Sequence, residues 1–140
     1  MDDSLEIVPL EKHYADQIQT WANQSASKAL LKQSGLNTNP EGVTSGWVTL
    51  RNQTPIAVAT IHVDIQHIGY LEFMVKPSEQ RQGVGAQLVE YVLQQPVVKT
   101  LSKLRVLVEH DNIAAQKILA QKDFSRIGYS AEGNLEFEKR

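Results

Sequence analysis

The stretch from Phe73 to Leu93, FMVKPSEQRQGVGAQLVEYVL, constrains the fold of this chain more than any other. Phe73-Met74-Val75 reads as the end of an apolar strand. Pro77 stops it, because a residue with no N–H and a locked φ cannot extend a ladder. A polar turn follows from Ser78 to Gln82, and Gly83-Val84-Gly85 then opens a helix in which Val84, Leu88, Val89, Val92 and Leu93 recur at helical spacing. Pro96 is expected to end that helix.

A helix start leaves its first four N–H groups without partners and carries the positive end of the macrodipole. Glycine at 83 and 85 leaves no Cβ between a ligand and the backbone. Such a loop is an anion cradle, best suited to phosphate or pyrophosphate. Two familiar phosphate loops do not fit. The nucleoside-triphosphate loop needs Lys-Ser/Thr after its last glycine, where Ala86-Gln87 stands, and the dinucleotide fingerprint needs a third glycine at Leu88. Taken alone, the turn also suits a plain strand-to-helix connection, so the rest of the chain decides.

A length of 140 residues suits one domain, residues 1–140, with a core of its own. A net charge of −2 gives no basic footprint for nucleic acid. With no cysteine there is no disulfide framework, thiolate metal site or Cys nucleophile. The opening MDDSLEIVPL is acidic where a signal peptide would be basic, and no apolar run is long enough for a membrane span. A cytoplasmic protein is the expectation.

Along the chain, Leu5–Val8 reads as a strand closed by Pro9, and Tyr14, Ile18 and Trp21 fall on one helical face. Ser25 can cap a second helix holding Ala26, Ala29 and Leu30 and stopped by Gly35, with 36–46 as loop. Trp47–Arg51 and Ile56–Ile65 read as strands joined by a turn at Asn52-Gln53-Thr54-Pro55. Gln66-His67 turns into a third strand, Ile68–Val75. Leu104–Val108 is almost wholly apolar, as a strand buried on both faces would be. Ala114, Ala115, Ile118 and Leu119 mark a helix capped by Asp111 or Asn112. Phe124–Tyr129 and Leu135–Glu138 form a last hairpin turned at Glu132-Gly133-Asn134.

Gln80-Arg81-Gln82-Gly83-Val84-Gly85 resembles the Q/R-x-x-G-x-G/A motif of the GCN5-related N-acetyltransferase (GNAT) superfamily, behind a strand ending in Val-x-Pro. The order of elements is similar over nearly the whole chain, Asn112-Ile113-Ala114-Ala115 resembles the family's Asn-x-x-Ala, and Ile7-Val8-Pro9-Leu10 looks like a family start. The resemblance implies an α+β fold of the GNAT kind, a mixed, mostly antiparallel central sheet with helices on both faces. It also implies acetyl-CoA as co-substrate. Its pyrophosphate would meet the loop Gln80, Arg81, Gln82, Gly83, Val84, Gly85 and Ala86, with Arg81 on a phosphate. Its pantetheine arm would pair with Phe73 and Val75 in the manner of strand addition and meet Asn112. In the family this arm fills a gap where the strand before the loop splays from its parallel neighbour. The implied activity is N-acetyl transfer from acetyl-CoA to a primary amine, of a small molecule or a peptide, by direct transfer in a ternary complex. The alternative is a non-catalytic GNAT-fold module that binds acyl-CoA as sensor or scaffold. Homodimers are frequent in the family, and its acceptor is shaped by the variable stretch here spanning Asn23–Gly46 and by the final hairpin.

An alkylammonium must lose a proton before it can attack, so a base or a desolvated entry path is needed. Glu72 is the first candidate, a carboxylate inside an apolar strand; a solvated strand face is its alternative reading. His62, on the neighbouring strand, is second, and Glu109 and His110 come third. His13 and His67 complete the four histidines, whose spacing resembles no metal site, so no metal is expected. The family often places a Tyr where Leu119 stands and a Gly where Asp123 stands. Protonation of the departing thiolate then falls to water, or to Tyr70 or Tyr129.

Overall fold

The computed structural model describes residues 5–22, 43–80, 82–129 and 133–139. The strands are β1 (Leu5–Pro9), β2 (Val43–Arg51), β3 (Thr54–Val63), β4 (Ile68–Val75), β5 (Lys103–Val108), β6 (Ser125–Tyr129) and β7 (Leu135–Lys139). The helices are α1 (Lys12–Ala22), α2 (Val84–Leu93), α3 (Pro96–Lys99) and α4 (Ile113–Gln121), and Pro77–Glu79 forms a single 3-10 turn. The seven described strands make one sheet in the order β1-β2-β3-β4-β5-β7-β6. Among them only β4 and β5 run parallel. Parallel neighbours need a crossover, and the glycine turn, α2 and α3 supply it.

Side chains alternate across a strand, and here both faces find helices. On one face Ala57, Ala59 and Ile61 of β3 and Leu71 of β4 join Val84, Leu88, Val89 and Val92 of α2 and Ala115 and Leu119 of α4. Leu88, Val89, Val92 and Leu119 are wholly buried, each contributing about 1.5–3 kcal/mol from removal of apolar surface. On the other face Ile18 and Trp21 of α1 pack with Val48, Leu50, Val58 and Met74. The Tyr14, Ile18, Trp21 stripe thus reaches the core as its spacing predicts.

Several boundaries differ from the sequence reading. Residues Val43–Gly46, read as loop, belong to β2. Gly46 lies in the strand because Leu10 crosses over it: a Cβ there would stand 2.8 Å from Leu10 Cδ2, and Leu10 N donates to Gly46 O at 2.9 Å. The β2–β3 turn is only Asn52-Gln53, both with positive φ, the pairing of a tight two-residue hairpin. Pro55 sits inside β3, tolerated beside the bulge at Thr49/Leu50. Ile65 is fully exposed in a turn, not a strand end, because Asp64 Oδ1 accepts from Gln66 N and Ile68 N and bends the chain there.

β5 is buried on one face only. Leu104, Val106 and Val108 are inside, whereas Arg105 and Leu107 are half-buried on the other side. Pro96 does not stop α2, which ends at Leu93; it opens α3, where its missing N–H costs nothing. The second helix read at residues 25–35 lies outside the described residues, as do 130–132 of the last turn.

Candidate functional site

β4 and β5 pair from Ile68 opposite Lys103 to Leu71 opposite Val106 and no further. Beyond that point β4 stays bonded to β3 as far as Val75 and β5 to β7 as far as Val108, so the sheet divides between them. The fork opens a cleft lined by Phe73, Val106, Leu107, Val108, Glu109, Asn112 and Ala115. Past Leu71 the β4 edge faces this cleft instead of a strand, and an unpaired strand edge can take another extended chain.

The glycine turn stands at the end of the same strand. Lys76 N donates to Ile56 O at 2.8 Å, and Gln80 Nε2 donates to Val75 O at 3.3 Å, so loop and strand are tied together. Gly83 caps α2 with φ of 81° and no side-chain cap bond. The two glycines serve different ends. Gly83 has nothing within 4 Å of a Cβ position, so its left-handed backbone, not space, calls for glycine. At Gly85 a Cβ would lie 3.1 Å from both Ile118 Cδ1 and Val75 Cγ2, so glycine lets the helix approach the strand and α4. Val84 and Gly85 are buried, Ala86 is half-buried, Gln82 is exposed, and Arg81 lies outside the described residues. Arg51 Nη2, from the end of β2, stands 3.2 Å from Glu79 Oε1 in the turn before Gly83.

Glu72 is the first residue of β4 past the last β4–β5 pair, on the sheet face that carries Met74 and opposite Thr60. Its Oε2 is buried with no hydrogen-bond partner among the described residues. Burial disfavours the charged form and pushes the carboxyl up to about 8. His62 pairs with Tyr70 across β3 and β4, which places it half-buried on the same face, one residue pair from Glu72. Tyr70 donates to Asp64 Oδ2 at 3.1 Å, and Arg105 Nε donates to Glu138 Oε2 at 3.0 Å, continuing a polar row across the sheet. Burial and the Asp64 carboxylate hold the Tyr70 phenol above its ordinary value, so it remains a neutral donor.

Asn112 caps α4, its Oδ1 accepting from Ala115 N at 3.2 Å, and it borders the cleft. Glu109 also lines the cleft, while His110 is exposed past the end of β5. Leu119 is wholly buried in the core, with no open face for a side-chain acid. Tyr129 is exposed on β6 under Arg126, and neither it nor Tyr70 borders the cleft. His13 and His67 are exposed and remote from it. Among the described residues no group of three metal-ligating side chains comes together. Two neighbours escape the sequence reading: Leu107 at the fork, and Glu136 paired with it from β7. No local signal marks them, because sheet order alone brings β7 beside β5.

No helix among the described residues is long and apolar enough to cross a membrane. No curated protein sequence matches significantly. Solved structures are more informative about the fold. A GNAT-family acetyltransferase from Streptococcus pneumoniae aligns with a TM-score of 0.72 at 17% identity, over 97% of this chain and 99% of that one. A dodecameric spermidine N-acetyltransferase from Vibrio cholerae aligns with a TM-score of 0.75 at 14% identity, over 99% and 94%. A domain from Methanocaldococcus jannaschii reaches 0.78 at 13% identity, over 99% of both chains. At such identities the likeness concerns the fold. The family model described as "Acetyltransferase (GNAT) family" matches residues 9–124, a span that runs from the end of β1 through the forked strands, the Gly83 turn and α4. The chain therefore belongs to the GNAT acetyltransferase family.

Proposed function

We propose that this protein is an acyl-CoA-dependent N-acetyltransferase that moves an acetyl group from acetyl-CoA to a primary amine by direct transfer. The observation that carries the reading is Glu72: a half-buried residue whose Oε2 is buried with no partner among the described residues, at the point where β4 and β5 part. The uncapped start of α2 and the open β4 edge suit the co-substrate's pyrophosphate and its amide-bearing arm. The co-substrate supplies a thioester; a carbon–nitrogen bond to the amine forms, the carbon–sulfur bond breaks, and CoA leaves as thiolate.

Phe73 and Val75 offer backbone groups to the arm. Gln80 to Ala86, with Arg81 among them, form the anion turn, and Asn112 closes the far side of the cleft. Glu72 takes the amine proton. Its pKa, about 8, lies close to working pH, where a base combines sufficient ionised fraction with useful strength. An ammonium entering the fork favours the carboxylate by its charge. In that dry setting the proton then passes from nitrogen to Glu72 and leaves a neutral pair. His62, on the same face, is the second acceptor of that proton. Water protonates the thiolate, a tolerable leaving group with a conjugate-acid pKa of about 8.5.

Glu109 in the cleft and Glu136 beside Leu107 support a cationic acceptor, as does the spermidine acceptor named for the Vibrio cholerae neighbour. Residues 1–140 act as one domain, working in the cytoplasm. One observation favours the alternative of a non-catalytic acyl-CoA-binding module: Leu119 is core, and among the described residues no hydroxyl side chain lines the cleft in place of the family's Tyr. Release of free thiol from acetyl-CoA, measured with a panel of primary amines including spermidine, separates the two. The enzyme gives amine-dependent release. CoA binding with no release for any amine would favour the module.

A further inference from the structure

The turn before Gly83 contains an acidic residue, which is an awkward neighbour for an anion cradle. Glu79 is the last residue of the 3-10 turn, four positions ahead of the α2 cap. A carboxylate so close to the start of a helix would repel a bound pyrophosphate, or swing onto the free N–H groups and compete for them. Glu79 does neither. Arg51 Nε and Nη2 lie 3.3 and 3.2 Å from its Oε1, and Nη2 reaches Gln82 Oε1 at a longer 3.5 Å. The two charged side chains are only 22% and 18% exposed, so the pair is better shielded than an ordinary surface ion pair.

We propose that Arg51 is a positioning residue for the anion turn: by neutralising and holding Glu79 and touching Gln82, it keeps the cradle at Gly83 open to pyrophosphate. This role rests on the acyl-CoA reading, and it falls to a residue 28 and 31 positions away from its two partners. The tight Asn52-Gln53 hairpin explains why Arg51 can reach. Arg51 is the last residue of β2, paired with Thr54, so its place at the tip of the β2–β3 hairpin is set by the turn. Lys76, which opens the approach to the turn, is bonded to Ile56 of the same hairpin. Hairpin and anion turn are thus joined through backbone as well as through the ion pair. What harms binding when Arg51 is lost is the freed Glu79.

The test is a calorimetric titration of the full chain with CoA, comparing wild type with Arg51→Met, Arg51→Lys, Glu79→Gln and the double variant Arg51→Met/Glu79→Gln. Arg51→Met is expected to weaken CoA binding roughly tenfold at 50 mM salt, and less at 500 mM, where the field of Glu79 is screened. The double variant is expected to return to within about threefold of wild type, and Glu79→Gln alone to bind at least as well as wild type. Arg51→Lys keeps the charge and stays within about threefold, which carries the test if Arg51→Met does not fold. A double variant as weak as Arg51→Met, or an Arg51→Met variant equal to wild type, overturns the inference while leaving the acyl-CoA reading intact. Absence of CoA binding in wild type overturns both.

Discussion

The two ends of the open β4 edge are built on opposite principles. At the turn end the chemistry lies in the backbone: Gly83 adopts its left-handed φ and the start of α2 is uncapped by any side chain, while Arg51 of the β2–β3 hairpin braces the turn through Glu79. At the fork end it lies in one side chain. Glu72 is held in an apolar strand by β3 and by the core under α1, with a buried oxygen that no group among the described residues satisfies. The turn costs little to maintain, since glycine takes that conformation without strain. The fork costs stability, because a carboxyl is kept where its charged form is disfavoured. Sites of catalysis commonly hold such uncompensated groups, whereas binding turns need not.

The contrast breaks most sharply at Glu72. Replacement by Gln keeps shape and removes the base, so turnover with the best amine should fall about 10²-fold or more while CoA affinity holds. Steady-state kinetics beside a CoA titration checks this. Wild-type turnover in Glu72→Gln would move the proton to His62 or to solvent.

The same variant should be more stable than wild type at alkaline pH. The folded pKa, about 8, lies above the unfolded value near 4.5, so the folded chain holds this proton more tightly. The stability linked to it is complete below about pH 4.5 and is lost as pH rises through 8, at roughly 1.4 kcal/mol per pH unit. Melting curves of Glu72→Gln and wild type should therefore separate by a few kcal/mol at pH 9 and converge toward pH 4.5. Curves that stay parallel across this range would mean the carboxyl is solvated.

Gly83→Val sharpens the other half of the comparison. A β-branched residue at φ of 81° should cost about 1–2 kcal/mol in fold stability and displace the turn's N–H groups. Wild type should gain about 2.7 kcal/mol from CoA at a hundredfold excess over Kd, and Gly83→Val much less. Equal gains in the two proteins would remove the turn from the binding site. The smallest effect is expected outside both ends. Gln53 holds a φ of 68°, so Gln53→Gly should raise stability by up to about 1 kcal/mol in a denaturant melt and leave CoA affinity unchanged.

Particular residues show how much is legible in the chain itself. The Gly83 turn, the Ile18–Trp21 stripe, a cap at Asp111 or Asn112 and the β4 limits at Ile68 and Val75 all follow from local rules of period and φ, and the structure chooses Asn112 as the cap. Glu72 is legible as an anomaly, a carboxylate in an apolar run, but its solvation is not. Gly46 misleads because glycine usually signals a loop, and only Leu10 crossing over it explains its place in β2. Ile65 misleads in the other direction: its side chain favours a strand, but Asp64 bends the chain there.

What the sequence determined by itself is the seven described strands and the helices α1, α2 and α4 in their order, together with the motifs that resemble a family whose model spans residues 9–124. These depend on backbone preferences among residues a few positions apart. The tertiary structure alone decided that β4 and β5 part after Leu71, that Glu72 Oε2 is buried at that point, that β7 lies beside β5, and that Arg51 stands against Glu79. Each of these is a matter of desolvation or pairing between segments far apart in the chain. Desolvation depends on which atoms exclude water, and no local preference specifies them.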